Sequence, residues 1–333
     1  MNMNNLKGTV LLLITALIWG TAFVAQTSAA ENVDPFTFNA SRNTIAVVFL
    51  TVIIMTKEKL AKAKAPAGTA PAAPAEKANF LGDTRAVVIG GALCGVALFA
   101  ASYLQQLGIA TYPPEAAASG RAGFITATYM IMVALCTIFT GRKLHPLVMI
   151  ATVVCMAGMY LLCMSGGLEN IYLGDVLVLL SAVGFAAHII VIDRYATLDA
   201  FRLSRVQFIV SAGLSAACAF IFEQPQIASI LAALLPILFA GIMSDGIAYT
   251  LQFVGQKYAN PTLASIIMGL ESVFAALAGW VLLAERLGFQ EIIGCVLVFA
   301  AVMLAQTPDF LKKPEAKEDA PASTALDQEP QSA

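Results

Sequence analysis

Long apolar runs alternate with short polar joints along almost the whole chain. A helix of ~20 residues at 1.5 Å rise crosses the ~30 Å hydrocarbon core of a bilayer. Read at that length, ten runs stand out: Gly8–Ala29, Phe36–Thr56, Ala86–Ile109, Ala116–Phe139, Pro146–Ser165, Leu173–Ile192, Ser204–Phe222, Ile230–Val254, Pro261–Leu283 and Phe289–Gln306. Soluble cores rarely supply so many runs with such short joints. The pattern predicts an all-α membrane protein. Two stretches fall outside it. Ala61–Asn79 carries Pro66, Pro71 and Pro74 and reads as a flexible loop within a 57–85 connection. From Pro308 the chain is Pro, Ala, Lys and acidic residues, read as a disordered tail over 308–333.

Composition agrees. The chain is 59% hydrophobic and 12% charged, against about 25% charged in a soluble domain. Its net charge of −2 offers no basic field for nucleic acid. The six cysteines lie in apolar runs and form no C-x-x-C pair, so neither a metal nor a disulfide framework is expected. The first run ends in Gln26-Thr27-Ser28 without a processing site and reads as a membrane anchor.

Basic residues orient the runs. With a cytoplasmic N-terminus, Lys7, Lys57, Lys59, Lys62, Lys64, Lys77, Arg85, Arg142, Lys143, Arg194, Arg202, Arg205, Lys257, Lys312, Lys313 and Lys317 all fall inside. Only Arg286 falls outside. This asymmetry predicts both termini in the cytoplasm, since losing one span would scramble it. The expected location is the plasma membrane, multi-pass.

The two sets of five look like copies. Gly141-Arg142-Lys143-Leu144 follows the fourth run as Ala284-Glu285-Arg286-Leu287 follows the ninth. Tyr103-Leu-Gln-Gln-Leu-Gly108 ends the third as Tyr249-Thr-Leu-Gln-Phe-Val-Gly255 ends the eighth. Five is odd, so the second copy enters the membrane upside down. Such inverted repeats recur in secondary transporters, with the site near the midplane. The expected units are 1–165 and 166–307.

At these positions the chain resembles the EamA-type transporters of the drug/metabolite transporter superfamily. The residues concerned are Ile18-Trp19-Gly20-Thr21-Ala22-Phe23, Arg42, Gly174-Asp175, and Gly269-Leu270-Glu271-Ser272-Val273-Phe274-Ala275-Ala276 running into Ala284-Glu285-Arg286-Leu287. The resemblance spans about Leu6 to Thr307. It implies ten helices, alternating access, and import or export of small metabolites such as amino acids; export is favoured. Two positions depart from the family pattern. Ser272 stands where a proline is frequent, and Arg142 where an acidic residue is expected.

Ionisable groups inside a membrane cost ~2.5–3.5 kcal/mol each on insertion scales, so they are candidates for function. Arg42 and Arg121 sit at matching depth, ~8–9 Å below the outer edge. They read as an anion-recognising pair, because a guanidinium grips carboxylate or phosphate with two donors. Asp245 and Glu271 sit ~14–15 Å above the inner edge, near the midplane. They read as the central polar groups, able to load a proton or cation or to bind an amine. Each has a structural alternative: snorkelling or helix-end pairing for the arginines, interhelical hydrogen bonding for the acids. His188 is a relay candidate or a packed interfacial histidine. Gln105, Gln106, Tyr129, Tyr249, Gln252 and Trp19 could complete a cavity or simply tie helices together. Gly91-x-x-x-Gly95 reads as close packing.

The chain lacks a G-x-x-x-x-G-K-[ST] loop, H-E-x-x-H and G-x-S-x-G, which argues against an ATP-driven pump and against the common membrane hydrolases. The expectation is therefore a non-enzymatic secondary transporter without a cofactor. Its partners would be a small-molecule substrate, the lipid bilayer and a coupling proton or cation, with a homodimer allowed. The alternative is a non-transporting receptor or scaffold.

Overall fold

The computed structural model describes residues 3–64, 74–113, 116, 118–139, 141, 144–163, 172–282 and 288–311. All regular structure among them is helical. The elements are α1 (Met3–Ala30), α2 (Pro35–Lys64), α3 (Pro74–Thr111), α4 (Ala118–Ala127), α5 (Tyr129–Phe139), α6 (Pro146–Cys163), α7 (Leu173–Tyr195) and α8 (Ala200–Phe222). Then come α9 (Ile227–Ala232), α10 (Leu234–Phe239), a π-helical segment (Ala240–Ala248), α11 (Tyr249–Gln256), α12 (Pro261–Met268), α13 (Glu271–Leu282) and α14 (Phe289–Leu311).

Helix starts follow local chemistry. Asp199 accepts the Arg202 N–H at the start of α8. Asn260 accepts the Leu263 N–H at the start of α12, with Pro261 in the first helical position. The N-terminus of α2 is capped from far away. Glu223, at the end of α8, accepts the backbone N–H groups of Phe36 and Thr37, each at 2.8 Å, and the Thr37 hydroxyl at 2.7 Å.

Seven helical runs are long and apolar enough to cross a membrane: Asn5–Ala30, Thr84–Thr111, Ala118–Phe139, Leu173–Tyr195, Ala200–Phe222, Leu234–Gln256 and Pro261–Leu282. Shorter apolar stretches lie at Pro146–Gly158 and Ile292–Ala305. The remaining run, α2, carries Asn39, Arg42 and Asn43 near its start and Lys57, Glu58 and Lys59 near its end. Large apolar side chains face outward, among them Val48, Val52, Val153, Phe220, Leu235, Val281 and Val296. Asn43, Gln106, Ser119, Gln207, Asp245 and Glu271 are buried. A soluble domain shows the reverse; a lipid surround requires this arrangement. The chain is a multi-pass membrane protein.

The helices pair in a definite way. α3 lies along α7 and α8, α2 along α8 and the π segment, and α6 along α14. α1 lies against α13, α11 and the π segment; α4 packs on α13 and α7, and α5 on α12 and α7. Glycines set the closest approaches. A Cβ on Gly95 would lie 2.6 Å from the Gln207 carbonyl, and one on Gly91 2.6 Å from Val206 Cβ, so this pair does seat α3 on α8. One end of the bundle gathers basic groups. There Lys7 lies over the Tyr258 ring, Lys57 over Phe201 at 3.9 Å, and Lys257 donates to the Leu198 carbonyl.

Three expectations need correction. Helix continues into the stretch read as loop: α2 runs to Lys64 and α3 begins at Pro74. Ala, Lys and Glu favour helix, and a proline is tolerated in a first turn; residues 65–73 lie outside the described ones. At the other end α14 runs three residues past Pro308, to Leu311, and the rest of the expected tail lies outside the described residues. Finally, the fourth, eighth and ninth runs are not continuous α-helices. They are broken, and the breaks build the site.

A polar cavity at the broken helices

The break between α4 and α5 falls at Thr128. Its N–H bonds back three residues to the Ile125 carbonyl, and its hydroxyl donates to the same oxygen at 2.6 Å. The break between α12 and α13 falls at Gly269-Leu270. There Leu270 N–H reaches Ile267 O and Ser272 N–H reaches Gly269 O, again three residues back, and the Ser272 hydroxyl donates to Gly269 O at 2.8 Å. Both turns are tightened from i→i−4 to i→i−3 by a hydroxyl that bonds into the ladder. Ser272 thus supplies, by a hydrogen bond, a break where the family often has proline. Tyr129 follows one break and Glu271 the other. The third interruption is the π segment, closed by Tyr249 N–H on Ser244 O. π turns of this kind often mark functional sites.

α1 closes on the second break. A Cβ on Gly20 would lie 2.8 Å from the Glu271 carbonyl and 2.4 Å from Phe274 Cβ. Only glycine permits this approach, and it brings the neighbouring Trp19 to the centre. A Cβ on Gly123 of α4 would meet Ala275 Cβ at 2.8 Å, so α4 presses on α13 from the other side.

Where these elements cross lies a cavity of about 30 Å³, room for roughly two waters. Trp19, Gln26, Arg42, Gln105, Thr126 and Tyr129 line it from the first half of the chain. Phe185, His188, Ser244, Tyr249, Gln252 and Glu271 line it from the second. Its aromatic wall is compact. Trp19 and Tyr249 have centroids 4.8 Å apart, and His188 and Phe208 meet the Tyr249 ring edge-on at 5.6 and 5.5 Å. His188 shares a 2.9 Å hydrogen bond with Gln207 Oε1, and the Gln105 amide donates to the Thr126 hydroxyl.

Several polar atoms here have no partner. Trp19 Nε1, Gln26 Oε1 and Gln252 Oε1 are buried without a hydrogen bond, and the Tyr129 hydroxyl and the Glu271 carboxyl face each other without closing to good hydrogen-bond geometry. Buried polar groups normally find one, because leaving them bare costs about 1–3 kcal/mol each. Orphaned donors and acceptors around one cavity are what a site for a polar molecule looks like.

The site residues named from sequence separate into three groups. Trp19, Arg42, His188, Tyr249 and Glu271 meet at the cavity. Asp245 lies behind it with no exposure, 3.6 Å from Arg42 Nη1. Gln106 and Arg121 do not line it. Gln106 is buried and donates to the Gln26 carbonyl, tying α3 to α1. Arg121 grips Asp175 with two donors, Nε to Oδ1 at 2.6 Å and Nη2 to Oδ2 at 2.7 Å. Tyr112 adds its hydroxyl to Asp175 Oδ1 and Tyr172 its N–H to Oδ2, while the guanidinium lies over the Tyr172 ring. The two arginines therefore form no pair, and neither do the two acids. Depth along a span says nothing of rotation about its axis, and rotation sends Arg121 to α7 and Arg42 to the π segment. Asp175, read only as the opening of a span, went unrecognised as the partner of Arg121. Gln26, Thr126, Phe185 and Ser244 were also missed, since nothing distinguishes them locally from packing residues.

Comparison with known proteins gives a consistent answer. The sequence profile of the EamA-like transporter family matches residues 6–164 and again 172–307. An uncharacterized transporter of Archaeoglobus fulgidus is 26% identical over 304 residues, covering 88% of this chain and 83% of that one. The uncharacterized transporter YoaV of Bacillus subtilis is 22% identical over 297 residues, covering 86% and 92%. One crystal structure shares the fold with a TM-score of 0.68 at 20% identity, over 90% of this chain and 98% of that one. The chain belongs to the EamA-like transporter family.

Proposed function

We propose that the protein is a secondary transporter that moves a small polar metabolite by alternating access around the central cavity. The observation that carries this reading is the cavity at the broken helices, lined from both halves by buried polar side chains, several of them without a hydrogen-bond partner. Its architecture is ten spans in two inverted five-helix repeats, divided near residue 165. Three observations support this. The family profile matches twice, once in each half. The breaks at Thr128 and Gly269-Leu270 fall in corresponding runs. The packing is also reciprocal: α1 against α12 and α13 mirrors α7 against α4 and α5, and α1 against the π segment and α11 mirrors α7 against α3. The basic end of the bundle faces the cytoplasm together with both termini, and the membrane is the plasma membrane. The direction is export. In this conformation the cavity is contracted; rocking the halves widens it towards one side at a time.

Glu271 is the central cargo-binding or ion-coupling group. Comparing small metabolites in cells and medium, with and without the protein, names the cargo. Flux of that compound in reconstituted liposomes then tests the site. A folded Glu271→Gln variant is expected to lose at least an order of magnitude in flux. Wild-type flux in that variant would remove Glu271 from the mechanism.

A further inference from the structure

Arg42 and Asp245 are opposite charges held slightly too far apart. Arg42 Nη1 lies 3.6 Å from Asp245 Oδ1, beyond hydrogen-bond distance, and the carboxylate's other polar neighbour is the adjacent Ser244 side chain, which also fails to close a well-formed bond. A well-made guanidinium–carboxylate pair closes to about 2.7–2.9 Å, as Arg121 and Asp175 do in the same molecule. The backbone sets this gap. A Cβ on Gly241 would lie 2.7 Å from the Arg42 carbonyl, and one on Gly246 2.6 Å from the Phe49 ring, so the π segment already touches α2 on both sides of Asp245. The two partners are also unequally placed. Arg42 lines the cavity with its Nε committed to Asn39 Oδ1, whereas Asp245 does not line it. An ion pair kept for structure offsets the cost of leaving water only when its hydrogen bonds are made. This one forgoes the short contact, while Arg42 lines the cavity.

We infer that Arg42 is an anion-binding site in the cavity and that Asp245 is its resident counter-ion, with which a small carboxylate competes. The carboxylate binds the edge of the guanidinium that faces the cavity. Asp245 keeps that hold weak enough for release, which a transporter needs as much as it needs binding. The inference rests on the cavity being the cargo site. Glu271 shares the cavity, so a ligand that fits also presents a donor to its carboxyl. Glycolate has both features; glycolamide lacks only the charge.

Trp19 reports on the cavity, and the only other tryptophan, Trp280, is removed by Trp280→Phe. In lipid nanodiscs the Trp19 fluorescence of that protein is titrated with glycolate and with glycolamide. Asp245→Asn is expected to lower half-saturation for glycolate at least about tenfold, without the same gain for glycolamide. Asp245→Glu reaches further towards Arg42 and is expected to weaken glycolate binding. It gives a second arm of opposite sign should the neutral variant fail to fold. Combining Arg42→Gln with Asp245→Asn is expected to abolish the response. Glycolate binding that neither Asp245 variant shifts would overturn the counter-ion role and leave the cavity as cargo site. A saturable response in none of the proteins would overturn the anion site itself. Flux loss in Glu271→Gln is measured separately, so the two ideas fail independently.

Discussion

Two arginine–aspartate pairs sit among the described residues of this bundle, and they differ in one respect that matters. At Arg121–Asp175 every short-range demand is met: two charge-assisted bonds, a tyrosine hydroxyl, a backbone N–H and an aromatic ring beneath the guanidinium. At Arg42–Asp245 the charges face each other across 3.6 Å and the carboxylate makes no well-formed hydrogen bond, with only Ser244 as a further polar neighbour. The first is a finished contact that holds α3, α4 and α7 together. The second is unfinished and lies beside a cavity whose other polar atoms are unfinished too. Buried charge alone does not mark a site; unmet hydrogen-bonding capacity does.

The sharpest way to break this comparison is Asp175→Ala. It strands Arg121 without its carboxylate, and thermal unfolding in detergent is expected to show a loss on the order of 3 kcal/mol. Replacing Arg121 and Asp175 together is expected to recover part of that loss. Absence of any recovery would mean that the pair acts through packing and not through charge. A smaller effect is expected from Tyr112→Phe, which removes one hydrogen bond from Asp175. It should cost about 1 kcal/mol in the same assay and leave glycolate binding unchanged. Smallest of all is Tyr129→Phe. The Tyr129 hydroxyl is buried facing the Glu271 carboxyl without closing to good hydrogen-bond geometry, so its removal should change stability by less than about 0.5 kcal/mol. If the cavity is the cargo site, the same variant should still alter flux. A large stability loss from Tyr129→Phe would show that its hydroxyl is a structural contact like that of Tyr112.

Much of the molecule was legible in the sequence. The apolar runs placed the helices, because length and hydropathy decide which segments can leave water. Trp19, Arg42, His188, Tyr249 and Glu271 were legible as well, since a polar group inside an apolar run has few reasons to be there. What the sequence hid was azimuth. Arg42 and Arg121 share a depth yet face different helices, and only packing determines that. The helix breaks were hidden for a different reason. Thr128 and Ser272 interrupt their ladders with a hydroxyl, and threonine and serine occur in unbroken membrane helices too. The chain from Lys57 to Arg85 misled through composition, because its prolines outweighed the helix-forming Ala, Lys and Glu on either side.

The π segment carries a consequence for how this protein tolerates change. Each of its turns takes in one residue more than an α turn, so the run from Leu234 to Gln256 contains a built-in phase step. Upstream of the step the chain is in register with α2; downstream, Tyr249 and Gln252 are in register with the cavity. Deleting one residue between Ala240 and Ala248 would let the backbone relax into ordinary α geometry with every helical bond intact and both flanks facing nearly as before, but it would abolish the wide turn that carries Ser244 and Asp245. Length, more than the identity of most side chains, is the quantity this stretch must conserve.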